Sequence, residues 1–575
     1  MKMGIRAANL CGLAAHLRAR EQGDEFGVDC RILTVIDDPS GPRCEVLNFR
    51  TTETKTVDAD SLFLEPKPEV IQDKILDVID AKFNLIELIR EKTFLTSRQA
   101  SKERFNKTQK EIVGRFFTDY NVFPFSTSEF NVTLDPNFVP VIGSGFPRED
   151  KTLDPLLLFD QADSSATHLQ PYHGLRAFGP FTKDKPEIRL ALLGTKAGIF
   201  QLDRLVEDLN KGTNIMPGGV GRFFRTRLVV IEKEVVESDN VDKYAGSARS
   251  LASKLEHERH DADVVLVHLN NRTPETSLDS AYFAVKPVLM EWGLPSQMVT
   301  PYALKDPQWK HVNIASAIFA KAGGLPWVLA EDIEDFDMIV GVSIGERIGT
   351  TKRAGAKPRF VSYANVFDRL GRWIFFESGV AEYQYGNHEQ QFAKLVIQAA
   401  QRYEELRKLP PRSIAVHYYK RFGRNERERI IAELEKQIGD FKLALITIDD
   451  SHPMRLYYLG IHDGSFPRGH FVHLSDGEVL LSSTGFTELS NKRMGTPVFL
   501  KLSFQQHPEP FVSGSDVAKQ VLALTRLNYK ALTPMVGEPV TIKYARLAAR
   551  FMAAFSEAQW KGVANQKIRN VPWFL

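Results

Sequence analysis

The chain has 575 residues, 43% of them hydrophobic and 25% charged, with a formal net charge of +2. That length exceeds what a single core organises, so three or four domains are expected. The near-neutral balance excludes a protein that coats nucleic acid by bulk charge, while still permitting a locally basic channel. No run of eighteen apolar residues occurs, and Met1 to Arg20 lacks the apolar stretch and cleavage site of a signal peptide. A cytoplasmic location without membrane association is therefore expected. Cys11, Cys30 and Cys44 fall in no metal-ligand spacing and read as plain thiols.

From Cys30 to Leu64, short β-type runs (RILTVI, CEVLNF, SLFL) alternate with turn residues such as Asp38-Pro39-Ser40-Gly41-Pro42, predicting a small β-rich region over residues 1–65. Between Lys67 and Arg115 the pattern becomes helical, with Ile71, Ile75, Val78 and Ile79 on one face. The basic residues after Thr96 read as a solvated face. Prolines and turn signals accumulate from Pro124 to Pro180, including HGLRAFGPF at His173 to Phe181, which reads as a linker into a new domain.

After Pro186, apolar runs alternate with helices: IRLALLG, RLVVIEK, DVVLVHL. This is the pattern of a mostly parallel sheet in an α/β layer fold. A second α/β set opens with MIVGVSIG at Met338 and continues through RFVSYANVF and WIFFES to a long amphipathic helix. That helix carries Phe392, Leu395, Val396, Ala399 and Tyr403 on one side. The strand SIAVHYY, a helix with Ile430, Ile431, Leu434 and Ile438, and the strand KLALITI follow.

Four donors stand out in the first α/β set. Tyr282 and Lys286 are one helical turn apart, Gln297 follows Pro295-Ser296, and Lys321 ends a helix just before Gly323-Gly324-Leu325-Pro326-Trp327. A terminal phosphate needs several donors converging from different elements, because its charge is spread over three oxygens. Each residue alone is an ordinary helix pair, strand cap or helix-end cation. The ordered set, Tyr-x-x-x-Lys, then Gln after Pro-Ser, then Lys before Gly-Gly-x-Pro-Trp, resembles the MID domain of Argonaute proteins. LTRLNYKALTPMVGEPVTIKYA at Leu524 to Ala545 is similar to the late PIWI segment of the same family.

The resemblance runs from His173 to Leu575. It implies an α/β protein with a Rossmann-like MID domain at 166–335 and an RNase H-like PIWI domain at 336–575. These would follow a small β-rich region at 1–65 and a helical linker or degenerate PAZ-like region at 66–165. It implies that Tyr282, Lys286, Gln297 and Lys321 hold the 5′ phosphate of a guide strand. A Mg²⁺ ion would be bridged by Gln297 and the C-terminal carboxylate of Leu575, a hard oxygen ligand.

Cleaving members of the family hold two metal ions on carboxylates. At the positions the resemblance assigns to them stand Ser343 in the strand Ile339 to Gly345, Tyr419 or Lys420 after IAVHYY, and Arg546 after PVTIKYA. A hydroxyl and two cations are poor ligands for a metal pair, so the resemblance implies a short or slicer-inactive prokaryotic Argonaute. Lys420, Arg421 and Arg546 would contact the nucleic-acid backbone instead. The expected partners are a short guide, RNA favoured, a complementary target DNA, and an effector protein (a nuclease, helicase or NAD-consuming subunit) in defence against plasmids or phage. The alternative is a guide-directed endonuclease with an atypical site. Asp449 and Asp450, beside Ser451-His452-Pro453, are candidates for it but read as a strand-end turn.

Overall fold

The computed structural model describes strands at 14–17, 28–38, 41–48, 54–58, 62–64, 125–126 and 131–132, then residues 141, 145–270, 280–305, 307–333, 335–346, 359–382, 387–452, 454, 456–458, 466–487, 492–494, 498–530, 532, 537–553, 555 and 566–575. The chain divides into two units, Met1–Gln99 and Ala100–Leu575.

In the first unit the described residues form an antiparallel sheet in the order Thr54–Asp58, Gly41–Asn48, Val28–Asp38, Ala14–Leu17, Leu62–Leu64. Val28–Asp38 and Gly41–Asn48 form a hairpin in which Asp38 pairs with Gly41, at the Pro-Ser-Gly turn signal. Cys44, Val46 and Val57 are buried. The expected β-rich start is present. The helical stretch expected from Lys67 to Arg115 lies outside the described residues.

The second unit begins its described core with a parallel sheet in the order Arg227–Val236, Glu187–Thr195, Val264–His268, Ser296–Val299. Its central strands alternate apolar residues toward two different cores. Leu190 and Leu192 join the cluster under helix Lys196–Lys211, while Ala191, Leu193, Val265 and Val267 join the one under helix Val241–His257. Burial on both faces is why these strands read as continuous apolar runs.

The second α/β layer is, among the described residues, a nine-stranded mixed sheet. Its order is Trp373–Glu382, Arg359–Asp368, Met338–Glu346, Ser413–Tyr418, Lys442–Asp449, Phe499–His507, Glu478–Ser482, His470–Ser475, Arg148–Lys151. Met338–Glu346, Ser413–Tyr418 and Lys442–Asp449 run parallel, and the remaining neighbours pair antiparallel. Helices Asn387–Arg407 and Arg424–Ile438 cover one face through Phe392, Leu395, Val396, Ala399, Tyr403, Ile430 and Leu434. Helices Gly514–Leu524 and Val540–Ala553 belong to the core on the other. Helix Val540–Ala553 comes unusually close to the sheet at Gly341, where a Cβ would stand 2.1 Å from the Thr541 carbonyl oxygen. Only glycine permits that approach.

Two stretches differ from expectation. Residues 148–158, placed in a helical linker or PAZ-like region, supply the edge strand Arg148–Lys151 and the strand Leu157–Leu158. Asp154 then binds the buried Arg468 guanidinium at 2.7 Å, tying this segment to the large layer. HGLRAFGPF is largely helix, Pro171–Phe178, with its proline at the first turn and Gly179 at φ 83° ending it. Prolines and glycines that suggested a loop are here the two ends of a short helix. Among the described residues no helix is long and apolar enough to cross a membrane.

Candidate nucleic-acid interface

Helix Ala281–Glu291 follows the third parallel strand and carries Tyr282 and Lys286 on one face, as their spacing predicts. The Lys286 ammonium lies 5.2 Å from the Tyr282 ring centre and 4.9 Å from that of Phe551, and these two rings stack at 5.4 Å. Gln297 sits in the fourth parallel strand, Ser296–Val299. Lys321 closes helix Pro307–Lys321 and donates to the Ser296 carbonyl at 2.9 Å and to Gln297 Oε1 at 2.7 Å. The four donors therefore come from three elements, with Lys321 hydrogen-bonded to Gln297 and Lys286 stacked against Tyr282.

Two residues absent from the sequence reading join them. Lys530, from the segment before helix Val540–Ala553, acts electrostatically on Lys286 and Lys321, and Lys543, in the first turn of that helix, feels the Lys530 charge in turn. They lie inside LNYKALTP and PVTIKYA, so the signal was present, but only the fold brings Lys530 beside Lys286. Burial pushes the Lys286 ammonium down to about 7, and the neighbouring Lys530 charge adds to the effect. Lys321 is pushed well below the ordinary lysine range by burial, then by Lys286 and Lys530. Burial likewise lowers Lys543, with Glu538 opposing and Lys530 assisting. Two buried amines drawn together, with the exposed Lys530 acting on both, suit an anion.

The segment 566–575 packs behind this cluster. Trp573 is 5.8 Å from Phe551, and Leu575 is buried in the same core. The donor set suits a phosphate. It does not suit a resident Mg²⁺, because Gln297 Oε1 already accepts from Lys321 and the surrounding charge is positive.

At the ends of the parallel strands of the large sheet, Ser343 is buried and cross-strand from Tyr363. Tyr419 gathers the other two positions around itself. Its hydroxyl donates to the carbonyl of Ile344, the residue after Ser343, at 3.1 Å. The Lys420 ammonium and the Arg546 guanidinium lie 5.4 and 5.1 Å from its ring. Arg546 also donates to Asp450 at 3.1 Å and to Glu538. The Arg546 guanidinium, a third exposed, is thus paired with two carboxyl groups of the chain itself. Lys420 and Arg421 are exposed.

Asp449 forms the expected strand-end turn, accepting from the Ser451 amide at 2.8 Å, whereas Asp450 turns to Arg546. Burial opposes ionisation of Asp450, but the Arg546 hydrogen bonds and charge outweigh it and hold the carboxyl down at about 2. Burial pushes its neighbour Glu538 up to about 7, against the pull of Arg546. Two carboxyl groups whose acidities are pushed in opposite directions thus bracket a single guanidinium. Among the described residues, the one group of three acid or histidine side chains close enough to share an ion, Glu232, Glu258 and His260, belongs to the four-stranded parallel layer instead.

Beneath the strand ends runs a buried polar chain that no sequence pattern marked. Neutral His417, pushed down to about 4 by burial, is 3.0 Å from Gln520 Oε1 and 2.9 Å from Thr541 Oγ1. Because an amide oxygen only accepts, Nε2 carries the proton and Nδ1 accepts from threonine. Asn365 donates to the carbonyls of Gly341 and Thr541 at 3.0 and 2.9 Å, fastening helix Val540–Ala553 to the central strand.

No family model matches the chain. Over 300 residues, 51% of this chain and 39% of the relative, it is 25% identical to "Protein argonaute" of Aquifex aeolicus, so the match spans well under half of that protein's length. Its fold is similar to that of Clostridium butyricum Argonaute bound to a guide DNA and a 19-mer target DNA. That likeness has TM-score 0.64 and 15% identity, covering 95% of this chain and 73% of the other. It is also similar to A. aeolicus Argonaute, with TM-score 0.58 and 16% identity, covering 96% and 73%. Over half its length the chain is thus similar in sequence to an Argonaute protein of Aquifex aeolicus, and over nearly all of it its fold is similar to that of two prokaryotic Argonautes.

Proposed function

We propose that the chain binds a short guide through its 5′ phosphate and presents it for pairing with a complementary DNA, without cutting that DNA. The observation that carries the reading is the buried convergence of Lys286 and Lys321 with Tyr282 and Gln297, under the field of Lys530. Burying ammonium groups together is unfavourable unless an anion enters among them. The Clostridium butyricum relative holds a guide and a target DNA, which supports this class of ligand. Target choice would reside in Watson-Crick pairing, with the protein holding backbone and guide end. Neutralisation of the phosphate falls to the lysines rather than to Mg²⁺ held by Gln297 and the Leu575 carboxylate.

Loss of cutting is proposed from the strand-end chemistry. Ser343, Lys420 and Arg546 stand where the family resemblance calls for metal ligands, and Arg546 lies between the two nearby carboxyl groups, Asp450 and Glu538. A guanidinium there repels the divalent ions a two-metal mechanism needs. An RNA guide and a separate effector (a nuclease, helicase or NAD-consuming subunit) acting against plasmids or phage complete the proposal.

Nucleic acid extracted from the purified chain and end-labelled, with RNase and DNase controls, tests the reading. Short 5′-phosphorylated strands are expected from the native chain and none from Lys286→Ala/Lys321→Ala. Equal loading of the double variant would refute the pocket assignment. Cutting of a matched target with Mg²⁺ or Mn²⁺ would refute the inactive assignment alone.

A further inference from the structure

The segment 566–575 packs behind Phe551, which covers Lys286, and its apolar contacts do not by themselves fix its register. Val571 lies beside Gly323, two residues after Lys321, where a Cβ would be 3.9 Å from the Val571 methyl. Trp573 backs Phe551, the ring that covers Lys286. Phe574 packs edge-on against Trp373 and tilted against Tyr544, at 5.5 and 5.2 Å. Packed aromatics tolerate sliding, whereas buried charge pairs do not, because a mis-seated pair leaves a charge unpaired in low dielectric.

The charge pair is supplied by Glu377. It is buried in strand Trp373–Glu382 and accepts from Arg569 Nη2 at 2.8 Å and from Arg402 Nη1 at 3.4 Å. Arg402, on helix Asn387–Arg407, stacks 5.1 Å over Phe375 and donates through Nη2 to Asn570 Oδ1 at 3.1 Å. One carboxylate thus fixes two guanidiniums, one belonging to the tail and one reaching the tail's next residue. Burial raises the Glu377 carboxyl above the ordinary glutamate range, with Arg569 and Arg402 pulling it back and Glu405 adding a weaker opposing charge.

We propose that Glu377 is a positioning residue for the 5′-phosphate site: through Arg569, Arg402 and Asn570 it holds the tail in the register that keeps Trp573 behind Phe551 and Lys286. The proposal rests on the guide-binding reading above. It assigns to a strand of the large sheet, outside the pocket itself, part of the selectivity for a phosphorylated strand end.

The test uses the full chain and two oligonucleotides of one sequence, ending in 5′ phosphate or 5′ hydroxyl, with hydrogen exchange read over 566–575. Glu377→Gln is expected to reduce the phosphate preference at least tenfold, leave hydroxyl-end affinity unchanged, and speed exchange in the tail. Asn570→Ala, a milder change at an exposed residue, is expected to give a partial loss, and Arg569→Lys to retain most of the preference. Phosphate preference equal to wild type in folded Glu377→Gln, or equal loss for both strand ends, would overturn the positioning role. A wild-type chain blind to the end group would instead overturn the pocket reading, and this role with it.

Discussion

Replacing Lys286 by Met should move stability and binding in opposite directions. The methionine keeps the aliphatic stem between Tyr282 and Phe551 and removes the ammonium. A lysine held at about 7 against an ordinary 10.5 has its charged form disfavoured by up to roughly 5 kcal/mol, at about 1.4 kcal/mol per unit. At pH 7, where half the groups are already neutral, about 4 kcal/mol of that penalty bears on folding. The two ring faces at 5.2 and 4.9 Å return about 1–2 kcal/mol. The guide-free variant should therefore be more stable by roughly 2–3 kcal/mol, raising the melting temperature of the second unit by a few degrees. Loss of one charge-assisted donor, worth about 1.5–3 kcal/mol, should weaken binding of a 5′-phosphorylated oligonucleotide roughly 10- to 150-fold. Thermal denaturation and fluorescence anisotropy with phosphate-ended and hydroxyl-ended strands read the two effects. A variant that is less stable than wild type and binds the phosphate equally well would refute both the burial argument and the role of the ammonium.

Four further outcomes are expected. Because the folded pKa of Lys286 is depressed, the unfolded chain binds more protons between about 7 and 10.5, so guide-free stability rises with pH across that window. Binding needs the ammonium form, so phosphate-end affinity should fall from pH 7 to pH 9 while hydroxyl-end affinity stays flat; titrations at those pH values decide it. Gly341→Ala puts a Cβ 2.1 Å from the Thr541 carbonyl oxygen, an overpacking of backbone on backbone expected to destabilise by about 3 kcal/mol, measurable as a lower urea midpoint. Asp154→Ala strands the buried Arg468 and Arg526 charges without their carboxylate and should destabilise by about 3–5 kcal/mol; an unchanged unfolding midpoint would show the contact to be dispensable.

Which parts of the site were legible follows from where the information sits in the chain. Tyr282 and Lys286 share one helix face at four-residue spacing, and Lys321 stands at a helix end marked by Gly-Gly, so local periodicity exposed them. Lys530 comes from the late segment, more than two hundred residues on, and acts on Lys286 and Lys321 only through the tertiary fold. Arg546 was read as a free cation because its partners, Asp450 and Glu538, lie on separate loops. The Pro171–Phe178 helix was read as linker because its first-turn proline and terminal glycine are also loop residues.

By itself the sequence determined the layer class and the donor types, since both are carried by short-range patterns: apolar runs for strands buried on two faces, helical spacing for shared faces, and the chemistry of single side chains. Tertiary structure alone decided how those donors converge, which cations are committed to internal carboxyls, and that Glu377 reaches the tail. Those outcomes depend on electrostatics at a few ångströms between residues hundreds of positions apart, such as Arg569 and Glu377 at 2.8 Å, and no local pattern encodes that distance.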